Sequence, residues 1–163
     1  FKRNFQKSMT KKQPQTSVIQ NRKANHLYFI EDRFETGLML IGSEVKSIRN
    51  GKCSISEAWV DLDDKNELWL VGAHIDEYLF ANRFNHMPAR RRKLLAHKHE
   101  IQKMRKAKEL KGYTLIPLKV YFKNRYAKLE VGICRGKDQQ DKRQDIIKRD
   151  AKLEMARIAK ARR

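Results

Sequence analysis

The 163 residues fit one domain of ordinary size with tails at its ends. Lys and Arg number 38 against 19 Asp and Glu, and the resulting net charge of +19 calls for a polyanionic partner while leaving the fold open. No apolar run approaches the ~18 residues of a membrane span, so nucleic acid leads and no membrane partner is expected.

Residues 1–20 read as a basic, flexible extension. Seven Lys or Arg and no acid fall in the first 23 residues, a composition shared with transit peptides. Met9-Thr10-Lys11-Lys12 reads instead as a bacterial start, with Phe1 to Ser8 lying upstream of it. The folded part is expected over residues 21–136. His26-Leu27-Tyr28-Phe29-Ile30 is aromatic and β-branched, as strands prefer, and Gly37 is expected to separate it from a second strand at Leu38-Met39-Leu40-Ile41. Ser43 to Gly51 predicts a short helix stopped by Asn50-Gly51. Ala58 to Leu62 and Glu67 to Val71, joined by a polar turn, predict a β-hairpin.

Residues 78–92 read as irregular. The spacing then predicts a helix from Lys93 to Lys111, with Leu94, Leu95, Ile101, Met104 and Leu110 buried and Gly112 ending it. Tyr113 to Phe122 and Tyr126 to Ile133 form a second β-pair around Lys123-Asn124-Arg125. The fold class is therefore mainly β with inserted helices, a small OB-type antiparallel barrel between basic, largely disordered tails.

The last segment, residues 137–163, holds ten Lys or Arg, five Asp or Glu, and no Gly, Pro or aromatic residue. It buries too little apolar surface to offset the entropy of ordering, yet its residues are good helix formers. Ile147, Ala151, Met155 and Ile158 recur at helical spacing, and Asp145 stands four residues before Arg149 as a helical ion pair. The tail is expected to be disordered alone and helical against a polyanion.

Enzymatic signals are weak: there is no GxSxG, P-loop, HExxH or dinucleotide fingerprint. His97 and His99, two apart in the predicted helix, are not expected to share a face, and the carboxylates form no metal-binding cluster. No catalytic residue, metal or cofactor is assigned. Ten Lys or Arg against two Glu over residues 90–111 fit phosphate contacts. Tyr28, Phe29, Trp59, Trp69, Tyr121 and Phe122 are able to stack on bases, although strand spacing assigns most of them to the core. The cysteines, Cys53 and Cys134, read as reduced structural thiols of a cytoplasmic protein.

Several strings go beyond composition. Asn21-Arg22-Lys23-Ala24-Asn25-His26-Leu27-Tyr28-Phe29-Ile30-Glu31 precedes Phe34-Glu35-Thr36-Gly37 and Gly42-Ser43-Glu44-Val45-Lys46-Ser47-Ile48-Arg49. Gly72-Ala73-His74-Ile75, Asn82-Arg83-Phe84-Asn85-His86, Arg92-Lys93-Leu94-Leu95, Pro117 to Asn124 and Asp141-Lys142-Arg143 follow in order. In this order and spacing they resemble the SmpB family of SsrA-binding proteins, from about residue 20 to the C-terminus.

The resemblance implies a non-enzymatic adaptor of trans-translation, working as a monomer. Its barrel would bind the tRNA-like domain of transfer-messenger RNA (tmRNA) and deliver it to the A site of a stalled ribosome. The tail would lie as a helix at the 30S decoding centre and in the empty mRNA channel. Carried over by position, Asn21, His26, Glu35, Leu95 and Lys128 would face RNA. Asp141, Lys142, Arg143, Lys148 and Arg149 would serve the ribosomal tail. Gln140 stands where many relatives carry His or an aromatic residue. The alternative is a generic OB-fold ribosome-associated RNA-binding protein or RNA chaperone.

Overall fold

The computed structural model describes residues 18–81 and 85–161. Most of the basic extension with its Met9-Thr10-Lys11-Lys12 string, the Asn82-Arg83-Phe84 string and the final Arg162-Arg163 lie outside the described residues. The elements, in chain order, are β1 (Ile19–Gln20), α1 (Arg22–Leu27), β2 (Tyr28–Leu38), α2 (Gly42–Arg49), β3 (Cys53–Ser54), β4 (Trp59–Leu62) and β5 (Leu68–Val71). They continue with β6 (His74–Ile75), β7 (Arg92–Leu95), α3 (Lys98–Glu109), β8 (Tyr113–Lys123), β9 (Tyr126–Gly136) and α4 (Gln139–Ala161).

Seven strands form one antiparallel sheet in the order β1-β8-β9-β2-β7-β5-β4, and β3 with β6 make a separate two-stranded ladder. The mainly antiparallel β fold with a few helices is thus as expected. The ladder runs from β1 to β4, and these two ends are not paired with each other.

Alternation along the central strands decides what faces the core. Phe34, Thr36 and Leu38 of β2 point inward with Leu129, Val131 and Ile133 of β9 and Leu94 of β7, while Glu35 and Lys128 point outward. Met104 and Ala107 of α3 and Ile48 of α2 close the same core. Irregularities in register at Ile30/Asp32 and Pro117/Lys119 break the simple alternation near α1. There Ala24, Ile116, Leu118 and Cys134 form a second apolar cluster on the opposite face. Residues 115–118 and 131–134 are consequently buried on both faces.

Both predicted hairpins and the helix ending at Asn50-Gly51 are present, Gly51 taking the left-handed conformation at φ 74°. Four expectations are corrected. His26 and Leu27 lie on α1, because Asn21 caps a helix there: its Oδ1 accepts from the Ala24 N–H at 3.2 Å. Gly37 does not end a strand but continues β2 opposite Leu95, whose Cβ would lie 3.4 Å from any side-chain carbon at residue 37.

Leu94 and Leu95 belong to β7, and α3 begins only at Lys98, where Glu100 accepts from the His97 N–H at 2.9 Å. Pairing of β7 with both β2 and β5 overrides the local helical pattern, and Leu110 is exposed. Finally, none of Tyr28, Phe29, Trp59, Trp69, Tyr121 and Phe122 is fully buried: Phe122 and Tyr28 pack half-buried against the two clusters, while Phe34 and mostly aliphatic residues fill the inward positions.

One polar feature is built into the interior. Glu44 and Arg92 have no accessible surface. The Glu44 carboxylate accepts from the Ile41 N–H (2.8 Å), from Arg90 Nε and Nη2 (both 2.7 Å) and from Arg92 Nε (2.9 Å). Arg92 also donates to the carbonyls of Ala73, Pro88 and Arg90. Burial alone would raise the Glu44 pKa; the Arg90 hydrogen bonds, the Ile41 N–H and Arg92 outweigh it and hold the carboxyl below its usual value.

Candidate nucleic-acid interface

The outward face of β2 and β9 meets the end of β7 in an open groove of about 380 Å³. Glu35, Gly37, Leu95, His97, Tyr126 and Lys128 line it. Leu95 stands on its wall, about half exposed, next to Gly37. On the other side of Leu95 a second groove of about 440 Å³ has an apolar floor that includes Leu68 and Ile101 and a rim that includes Lys65, Lys93 and Lys98. Three residues expected from the sequence, Glu35, Leu95 and Lys128, therefore come together although they are up to 93 positions apart.

Glu35 does not stand alone. Its carboxylate accepts from the Tyr121 hydroxyl and lies 3.4 Å from Lys123 Nζ and 3.6 Å from Lys128 Nζ. The Tyr121 hydrogen bond, aided by Lys123 and Lys128, lowers the Glu35 pKa against some desolvation. Partial burial and the same carboxylate push Tyr121 up to about 12, so its hydroxyl remains a donor at neutral pH. Beside this set, Glu130 pairs with Lys119 at 2.8 Å and Arg33 at 3.2 Å. Four cations over two carboxylates leave this patch positive. Carboxylates interleaved with the cations fix the positions of flexible lysines and offer acceptors that select against phosphate-only contacts.

Other expected residues are placed differently. Asn21 is buried: its Nδ2 donates to the carbonyls of Pro117 (3.0 Å) and Ile55 (3.2 Å) while Oδ1 caps α1. Its side chain is committed to the interior and does not line the groove. His26 is half-buried in the last turn of α1. The His97 and His99 rings stack 5.5 Å apart and 12° from parallel, contrary to expectation, since His97 is the cap residue and has extended backbone.

The described tail is helical from Gln139 to Ala161 as α4, which has no buried residue. Lys148 and Arg149 on it are exposed, as are Arg143 and Gln140, while Asp141 and Lys142 are half-buried near its start. Asp145 pairs with Lys137 rather than with Arg149.

The sequence reading gives no site role to Tyr126, which lines the groove, to Lys123, which faces Glu35, or to Lys137, which pairs with Asp145. For Tyr126 the signal was present: Asn124 (φ 49°) and Arg125 (φ 73°) form the two-residue turn between β8 and β9, which sets Tyr126 at the start of β9, 72 % exposed. Among the described residues no group of three or more His, Cys, Asp or Glu is placed to hold a metal, and no helix is long and apolar enough to cross a membrane. Burial pushes the Cys53 and Cys134 thiols up to about 11, which suits structural thiols.

Comparison with known proteins bears on this surface as a whole. The family model described as "SmpB protein" matches residues 18–161. An SsrA-binding protein of Afipia carboxidovorans is 52 % identical over 153 residues, covering 93 % of this chain and 97 % of that protein. Another, of Bifidobacterium longum strain DJO10A, is 46 % identical over 149 residues, covering 91 % and 94 %. A chain of a solved structure described as "tmRNA-SmpB: a journey to the center of the bacterial ribosome" is 41 % identical, with a TM-score of 0.64 over 79 % of this chain and 94 % of its own. With a family match running from the first described residue to the last, and relatives about half identical along nearly their whole length, the chain belongs to the SmpB family.

Proposed function

We propose that this chain is a non-enzymatic RNA-binding adaptor of trans-translation in the bacterial cytoplasm. Its sheet binds the tRNA-like domain of tmRNA and delivers it to the A site of stalled ribosomes, and its tail probes the empty mRNA channel. The observation that carries the reading is the convergence of Glu35, Leu95 and Lys128 on one groove beside a positively charged patch of the sheet, in a member of the SmpB family. The names of its relatives, SsrA-binding proteins, and its likeness to a chain of a tmRNA-SmpB ribosome structure point the same way.

In this reading the sheet curls into an OB-type barrel, supported by the approach of β4 to β8 across the core. Leu95 packs against an exposed base, Glu35 accepts from base or ribose donors, and Lys128 with its neighbours takes phosphate. His26 touches the same RNA from α1, and Asn21 supports it by capping that helix. In the tail, Asp141, Lys142, Arg143, Lys148 and Arg149 meet ribosomal RNA at the 30S decoding centre and along the channel. The described helix spans 23 residues, about 35 Å at ~1.5 Å per residue. With no buried residue it is marginal alone, and rRNA phosphates supply most of its order.

Removing residues 137–163 tests the division of labour. Affinity for the tmRNA tRNA-like domain should persist while tagging in a reconstituted stalled-ribosome assay is lost; tagging at the full-length rate would refute the tail's role.

A further inference from the structure

Lys137 follows β9 directly and precedes α4 by one residue. Its side chain is only 8 % exposed, an unusual state for lysine. The ammonium group donates to the Asn25 carbonyl at 2.9 Å and to the Asp145 carboxylate, and it lies 4.9 Å from the centroid of the Phe29 ring. Its backbone N–H donates to the Leu27 carbonyl at 2.9 Å. Asn25 and Leu27 belong to the last turn of α1, where carbonyls lack intrahelical partners and a cation is favoured. Asp145 belongs to α4, two turns past its start, and Lys137 holds its carboxyl below the usual carboxylate range. One buried cation thus joins the end of one helix to the root of another.

We propose that Lys137 is a positioning residue: it fastens the root of α4 to α1, so that the tail leaves the sheet in a set direction relative to RNA held beside α1. The consequence for tagging rests on the adaptor reading; the fastening itself does not. Lysine suits the place because its three N–H donors reach a carbonyl and a carboxylate at once while its cation faces an aromatic ring. Beyond Asp145 every described residue of α4 is exposed, so the fastening governs direction at the root and leaves the remainder free to meet RNA.

The test uses full-length protein spin-labelled at Arg22→Cys and Gln144→Cys, both exposed positions, with the half-buried Cys53 replaced by Ala and the buried Cys134 left in place. In RNA-free protein, Lys137→Met should broaden the inter-label distance distribution about twofold or more, and Lys137→Arg should restore most of its sharpness. Asp145→Asn should broaden it too, and should add little on top of Lys137→Met, since the two act through one contact.

In the reconstituted assay with unlabelled protein, Lys137→Met should slow tagging about tenfold with tmRNA affinity changed less than about threefold. An unchanged distance distribution in Lys137→Met, or effects of the two substitutions that simply add, would overturn the proposal. If Lys137→Met fails to fold, Asp145→Asn decides, because it alters a helix with no buried residue. If the adaptor reading were wrong, the unmutated protein would support no tagging while the distance result stood unaffected.

Discussion

Glu35 is an acid on a surface that the rest of the chain makes cationic. Its partners explain its retention in physical terms: Tyr121, Lys123 and Lys128 all direct donors at it. Removing the carboxylate frees two lysines for phosphate and raises net charge, so a purely electrostatic partner would bind more tightly. An RNA recognised by shape and hydrogen bonds would bind less tightly, because ordered donors and an acceptor are lost together. Glu35→Ala should therefore weaken binding to the tmRNA tRNA-like domain by about tenfold, the size of one charged hydrogen bond. A titration showing tighter binding would reduce the interaction to charge alone.

Legibility in the sequence was uneven at this scale. Glu35, Leu95 and Lys128 were named from family motifs, and the sheet unites them. Asn21 turns its side chain inward: a motif fixes which residue recurs and not which way its side chain points, and only the fold reveals that its amide spans Ile55 and Pro117. Lys137 was illegible because its partners, Asn25 and Asp145, become neighbours only after β9 returns to α1.

Among elements, the join between α2 and β7 carries the largest concentration of buried charge. Arg90 and Arg92 converge on Glu44, and Arg92 also holds the carbonyls of Ala73, Pro88 and Arg90, tying the irregular stretch before β7 to the sheet. Replacing Glu44 by Gln leaves Arg92 buried without its counter-charge and should cost about 3–5 kcal/mol in chemical denaturation. Because the folded-state pKa of Glu44 lies below its ordinary value of 4.5, its contribution is complete above that pH. It declines as pH falls through the lower folded value. Acid denaturation monitored by circular dichroism should show Glu44→Gln losing less stability than the parent chain between neutral pH and the acid limb; equal losses would show that Glu44 does not titrate with unfolding.

The same elements show where local reading fails. Hairpins with clear turns, such as β4–β5 and β8–β9, were legible because their pairing is local. Residues 93–97 were read as helix, yet β7 is recruited by β2 and β5, partners dozens of residues away, and long-range pairing outweighs local propensity.

At the scale of the whole molecule, a described sheet with an RNA-suited groove stands between basic segments, and a 23-residue helix carries the charge outward. Composition alone made the chain a generic polycation. The groove that joins β2, β7 and β9, read with membership of the SmpB family, turns that into a claim of selectivity. Competition titration of the full chain against the tmRNA tRNA-like domain, tRNA and unstructured RNA at near-physiological salt tests that claim directly. The tRNA-like domain should bind about a hundredfold or more tighter than unstructured RNA and ahead of tRNA. Equal affinity for all three would contradict it and leave a general RNA-binding protein in its place.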